Sequence, residues 1–178
     1  SLGMAEQKEL QTPDKNALPI LFKDEGEYKN WLSERKIKHL KREALGIRKN
    51  IDCFLGIDSG STTTKILIMD ENEQLIYTFY APNKGNPLKK VVEGLEQFYR
   101  EADEKGVSFR FVASAATGYG EDLIKSALGL DFGIVETMAH LSGAQYVNPD
   151  VSFVLDIGGQ DIKSIFTEKG VISNIELN

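Results

Sequence analysis

The 178-residue sequence predicts an α/β protein: a mixed β-sheet flanked by helices, followed by the opening strands of a second sheet of the same design. Three observations carry this reading. Residues 51–81 hold three short runs rich in strand formers, IDCFLGID, KILIMD and LIYTFYA, joined by SGSTTT and ENEQ. Connections this short permit only antiparallel pairing. From residue 86 helical and strand patterns alternate, which lays strands side by side with helices on the faces. After Pro149 the strand–turn–strand–strand pattern begins again, which reads as an internal repeat.

Residues 1–19 are polar, contain Pro13 and Pro19 and show no apolar period, so they read as loosely ordered. In DEGEYKNWLSERKIKHLKREALG (residues 24–46), Tyr28, Trp31, Leu32, Ile37, Leu40 and Leu45 recur at roughly helical spacing, and Gly46 is a stop signal. One or two amphipathic helices are expected there. The basic run KIKHLKR could bind nucleic acid or an acidic partner. Its cations alternate with apolar residues behind acids, however, which is the pattern of a solvated helix face. Residues 1–50 thus form a polar, partly helical extension.

Residues 51–149 form the first lobe. In 86–104, Val91, Val92, Leu95, Phe98 and Tyr99 fall on one helical face, with Gly106 beyond the end. FRFVASAA (109–116) is a fourth strand, EDLIKSALG (121–129) a short helix, FGIV (132–135) a fifth strand, and 137–146 a helix stopped by Asn148-Pro149. Residues 150–178 open a second lobe with VSFVLDIG, QDIKSIFTE and VISNIELN. Those strands lack covering helices in this sequence, so their apolar face is expected to seek a partner, favouring a homodimer or strand exchange.

Composition excludes several classes. With 41% apolar and 27% charged residues the chain can build an ordinary core. No run approaches the roughly 18 apolar residues of a membrane span. The start, Ser1-Leu2-Gly3-Met4, lacks the apolar stretch of a secretory signal. The single cysteine, Cys53, excludes an internal disulfide and a metal site built from several thiolates. A cytoplasmic setting is expected. A net charge of −6, from 27 acidic against 21 basic residues, argues against a general nucleic-acid binder.

Two glycine-containing hairpins carry the chemistry. In the first, a strand delivers Asp58 to its end and Ser59-Gly60-Ser61-Thr62-Thr63-Thr64-Lys65 follows. Gly60 tolerates positive φ, and small side chains let backbone N–H groups approach an anion. With Ser61, Thr62, Thr63 and Lys65 beside them, such donors suit phosphate oxygens, and Asp58 suits Mg²⁺ directly or through water. No GxxxxGK[ST] is present, so this is not a Walker loop. In the second, Asp156-Ile157-Gly158-Gly159-Gln160-Asp161 again ends an apolar strand. Gly158 and Gly159 would offer N–H groups, Asp156 would help hold the metal, and Gln160 or Asp161 would orient water. Each alone is also an ordinary hairpin turn. Paired in a repeated meander, they describe a phosphate clamped between two lobes. A third motif, Ala116-Thr117-Gly118-Tyr119-Gly120, stands where a strand meets a helix. Thr117 and Gly118 either face the same cleft from a helix N-terminus or serve a turn that needs glycine for steric reasons.

GIDSGSTTTK, ATGYG and DIGGQD, in that order, resemble the ATPases of the acetate kinase, sugar kinase, heat-shock 70 and actin superfamily. Within it they look like the activator ATPases of 2-hydroxyacyl-CoA dehydratases and benzoyl-CoA reductases, over roughly residues 53–178. GYGEDLIK (118–125) and VETMAHLSGAQYVNPDV (135–151) look closest to large fused activase-like proteins, in which residues before 51 would be an inter-module linker. The resemblance implies a ribonuclease-H-like fold in two lobes and an ATP- and Mg²⁺-dependent activity. It makes Asp58, Gly60, Ser61 and Thr62 phosphate-1 contacts and Asp156, Gly158, Gly159 and Gln160 phosphate-2 contacts. The implied partner is an acyl-CoA dehydratase or reductase, which receives an electron from an iron–sulfur cluster.

The family's adenosine motif and one of its cluster cysteines fall beyond Asn178. At the other cluster position this sequence has Ala139, followed by His140, and Cys53 matches no ligand position. An iron–sulfur cluster in this chain is therefore not expected. This stretch is expected to bind nucleotide weakly, to be poor in catalysis alone, and to need the remainder of the second lobe. Two other functions remain open: a small-molecule kinase of the same superfamily, acting on an acid or sugar, and a non-enzymatic interaction module that kept the fold.

Overall fold

The computed structural model describes residues 20–34, 40–158 and 161–178, and the chain divides into two compact units, 1–37 and 38–178. The first unit contains α1 (Glu25–Glu34). Asp24 caps it by accepting a hydrogen bond from Glu27 N at 2.9 Å, and Phe22 packs its ring 5.3 and 5.2 Å from those of Tyr28 and Trp31.

The second unit opens with β1 (Asn50–Ser59), β2 (Thr63–Asp70) and β3 (Leu75–Pro82), each within two residues of the expected strand. Then come α2 (Pro87–Glu104), β4 (Ser108–Thr117), α3 (Glu121–Leu128), β5 (Phe132–Ile134), α4 (Glu136–Val147), β6 (Phe153–Ile157), β7 (Ile162–Glu168) and β8 (Val171–Leu177). The first five strands form one sheet in the order β3-β2-β1-β4-β5. Pairing is antiparallel within the β1–β3 meander and parallel from β1 through β4 to β5. The last three strands form a separate antiparallel sheet, β6-β7-β8. This is the mixed, ribonuclease-H-like arrangement expected, with a second meander that repeats the first. Among the described residues no helix is long and apolar enough to cross a membrane.

Helix α2 covers the five-stranded sheet. Asn86 caps it through a 3.0 Å bond from Lys89 N, and Pro87 fills its first turn, where a missing N–H costs nothing. Its stripe of Val91, Phe98 and Ala102 is buried with Ile57, Ile66 and Ile68 of the sheet. Phe98 meets Phe109 and Tyr77 with ring centres 4.7 and 5.2 Å away. Helix and sheet approach so closely at Gly94 that a β-carbon there would stand 2.6 Å from Ile66 Cδ1. Only glycine fits.

The helix expected to run on toward Gly46 is not found in residues 40–49. Instead this stretch lies along the free edge of β3: Leu75 donates to Lys41 O at 2.8 Å and accepts from Glu43 N at 3.2 Å. Leu45 enters the core, and the Arg48 guanidinium is bonded to Glu43, Asp70 and Glu71. An unpaired strand edge supplies backbone partners that outcompete a helical period.

Candidate phosphate site between two hairpins

The β1–β2 register sets Asp58 opposite Lys65, and Lys65 Nζ lies 2.7 Å from Asp58 Oδ2. Gly60 N donates to Thr63 O at 3.0 Å and closes the hairpin around Ser61 and Thr62. The second meander repeats this plan 98 residues on. Asp156 stands opposite Lys163, and Gly158 N donates to Asp161 O at 2.9 Å. Thus Asp58, Gly60, Thr63 and Lys65 have Asp156, Gly158, Asp161 and Lys163 as counterparts.

The two carboxylates are held differently. Asp156 Oδ2 lies 2.8 Å from Nδ1 of His140, on α4, while Lys163 turns to Glu136 Oε2 at 2.6 Å and Asp161 at 3.3 Å. Its hydrogen bond to Glu136 raises the Lys163 ammonium above the usual lysine range, against the lowering effect of burial. Asp58 Oδ1 and Ser59 Oγ are buried without a hydrogen-bond partner among the described residues. A carboxylate oxygen left without a donor is what a divalent cation, or one of its waters, satisfies.

Both hairpins open on one cleft of about 220 Å³. From the first, Asp58, Gly60, Ser61, Thr62, Thr63 and Lys65 line it; from the second, Asp156, Gly158 and Asp161. Gly159 and Gln160 lie outside the described residues. Glu136 and His140 on the cleft wall were not among the expected site residues, and Tyr119 was named only as part of the ATGYG turn. Their signal was positional: Glu136 and His140 sit one helical turn apart at the start of α4. Gly60 does not use positive φ; its freedom lies in the 3.3 Å that would separate a β-carbon from Thr63 O.

Thr117 and Gly118 are not among the lining residues. Thr117 Oγ1 donates to Ile134 O at 2.7 Å, and Gly120 N donates to Ser59 O at 2.9 Å. At Gly118, φ is +88° and a β-carbon would meet Ser59 O at 2.7 Å and Asp58 Oδ1 at 2.8 Å. The ATGYG turn therefore buttresses the end of β1 from behind.

Residues 55–178 match the BadF/BadG/BcrA/BcrD ATPase family. The (R)-2-hydroxyglutaryl-CoA dehydratase activating ATPase of Acidaminococcus fermentans is 32% identical over 127 residues, covering 70% of this chain and 46% of the relative. The activator of lactoyl-CoA dehydratase from Anaerotignum propionicum is 28% identical over 125 residues, with the same coverage. Among solved structures, the activator of the 2-hydroxyisocaproyl-CoA dehydratase from Clostridium difficile, with bound ADPNP, superimposes with a TM-score of 0.59 at 26% identity, over 71% of this chain and 45% of that one. The chain thus spans a little under half the length of these relatives. With its repeated hairpins and its mixed sheet, the chain belongs to the BadF/BadG/BcrA/BcrD ATPase family.

Proposed function

We propose that this chain is the phosphate-holding part of an ATP-binding and ATP-hydrolysing activator of a CoA-substrate dehydratase. The observation that carries the reading is the meeting of Asp58 and Asp156 in one cleft, each delivered by a hairpin of the same plan. The dehydratase activators among its relatives, one of them with bound ADPNP, support the nucleotide and the partner class.

In this reading the N–H groups of Gly60 and Gly158 close the two hairpins, and the small loop residues let the backbone N–H groups of Ser61 and Thr62, and of Gly159, reach phosphate oxygens. Lys65 offsets phosphate charge, and Gln160 orients the attacking water. Mg²⁺ fits the donor set, with Asp58 and Asp156 as its protein ligands, and when bound it would neutralise charge on the phosphates. Thr117 and Gly118 serve the site by shaping the loop. The setting we assign is the cytoplasm, where the buried Cys53 remains a thiol.

The test is the melting temperature with and without millimolar Mg·ATP, beside Asp58→Ala. Binding to the folded state alone raises stability by mass action. A rise that disappears in the variant is expected. No rise, or an equal rise in both proteins, would overturn the reading.

A further inference from the structure

Behind the first hairpin lies a residue that does not line the cleft and that no motif contains. Asn83, at the end of β3, is 2% exposed. Three of its groups bond the loop: its backbone N–H donates to Thr62 O at 2.8 Å, its Nδ2 donates to Gly60 O at 2.7 Å, and its Oδ1 accepts from Thr64 Oγ1 at 2.5 Å. Asn83 and Thr64 are buried, so their hydrogen bond is shielded from water and holds the Asn83 amide in one orientation toward the half-buried Gly60 carbonyl.

The consequence follows from peptide planarity. In a trans peptide the C=O and the following N–H point in opposite directions. Asn83 draws the Gly60 carbonyl toward itself, so the Ser61 N–H points away from it. Ser61 lines the cleft, Asn83 does not, and the Ser61 N–H has no acceptor among the described residues. The carbonyls of Gly60 and Thr62, whose lone pairs would repel an anion, are both engaged by Asn83. The Asn83 side chain thus removes the Gly60 acceptor and its backbone N–H the Thr62 acceptor from the loop's free face, and a donor is left unsatisfied there.

We propose that Asn83 is the positioning residue of the first phosphate loop: it fixes the Gly60–Ser61 peptide so that the Ser61 N–H is preset for a phosphate oxygen of the nucleotide. The assignment rests on the nucleotide reading above. Preorganised donors bind without reorganising when charge arrives, so the effect falls on affinity and turnover more than on folding.

The experiment is an ¹⁵N-amide chemical-shift titration of the 178-residue chain with Mg·ADPNP, in parallel for the unaltered protein, Asn83→Ala, Asn83→Asp and Val91→Ala. Val91 is a fully buried core residue on α2 and serves as a destabilised control with the loop network intact. Asn83→Asp keeps an acceptor for Thr64, loses the donor to Gly60 and adds a carboxylate charge behind the loop. The Ser61 amide is expected to shift in the unaltered protein and in Val91→Ala, and to need at least tenfold more nucleotide in both Asn83 variants. If Ser61 responds equally in Asn83→Ala and in the unaltered protein, the assignment of Asn83 falls while the nucleotide site stands. If Val91→Ala loses the response as completely as Asn83→Ala, the effect is one of general stability and the assignment also falls. If no amide of the unaltered chain moves, the nucleotide reading itself fails and the assignment falls with it.

Discussion

Nδ1 of His140 lies 2.8 Å from the carboxylate of Asp156, so the start of α4 is tied to the end of β6 at the rim of the cleft. One turn earlier, Glu136 is joined to Lys163 of β7 at 2.6 Å. Only Leu141 of α4 is buried. These two polar contacts therefore fasten the second hairpin to the helix with little apolar help. Every residue involved sits on or beside the candidate phosphate site.

His140→Ala is expected to lower stability by about 1 kcal/mol, the usual worth of a half-buried hydrogen bond to a carboxylate. Urea unfolding measures the loss, and amide exchange locates it. The strands β6–β8 should exchange faster in the variant while β1–β4 keep their protection. An unchanged urea midpoint together with unchanged exchange in β6–β8 would show that α4 is held by something else.

Lys65→Met keeps the aliphatic stem and removes the ammonium beside Asp58. Lys65 is partly exposed and the pair only half-buried, so stability should change by about 1 kcal/mol or less. Nucleotide affinity should fall about tenfold, the loss expected for one ammonium–phosphate contact. Calorimetry with Mg·ATP checks this. Undiminished affinity would leave Lys65 as a partner of Asp58 only.

The strands were legible because β-branched and aromatic runs stand between polar turns, and the second meander was legible because Asp-then-glycine recurs after an apolar strand. The two hairpins were legible for the same reason, since their chemistry is local. What sequence did not reveal depends on long-range partners. Leu40 and Leu45 keep a helical period, yet residues 41–43 bond the backbone of Leu75, a strand edge more than thirty residues away. Gly118 looks like half of a helix-start motif, and only its contact with Ser59 shows that it supports β1. Asn83 precedes Lys84-Gly85-Asn86-Pro87 and reads as one more turn residue. Its hold on Gly60 and Thr64 exists only once β2 and β3 are paired.

Two glycine-to-alanine changes separate crowding from entropy. Gly118→Ala places a β-carbon within 3 Å of Ser59 O and Asp58 Oδ1 at a φ of +88°, and should cost about 1–3 kcal/mol. It should also weaken Mg·ATP binding, because the end of β1 must shift. Gly143, inside α4, has open space where a β-carbon would go, so Gly143→Ala should stabilise by about 0.5–1 kcal/mol. Thermal melts of the two variants should move in opposite directions. A neutral Gly118→Ala would mean the ATGYG turn can retreat from β1 at no cost.

Cys53 links the core to alkaline pH. Burial, with help from nearby Glu71, Asp70 and Asp52, pushes its thiol from 9.0 up to about 11. Below pH 9 the folded and unfolded chains both keep the proton and the thiol adds no pH dependence. Between 9 and 11 the unfolded chain ionises first, so stability falls as pH rises, by on the order of 2 kcal/mol at the upper end. Tyr77 is shifted in the same direction by burial, so the effect must be read as a difference. Urea unfolding of the unaltered chain and of Cys53→Ala at pH 8 and at pH 10.5 supplies it. At pH 8 the alanine variant should be the less stable, having lost a buried group. By pH 10.5 the gap should narrow or reverse, because only the cysteine protein carries the ionisation cost. A gap of the same size at both pH values would mean that the thiol titrates alike in the folded and unfolded chains, and that the core around Cys53 admits water.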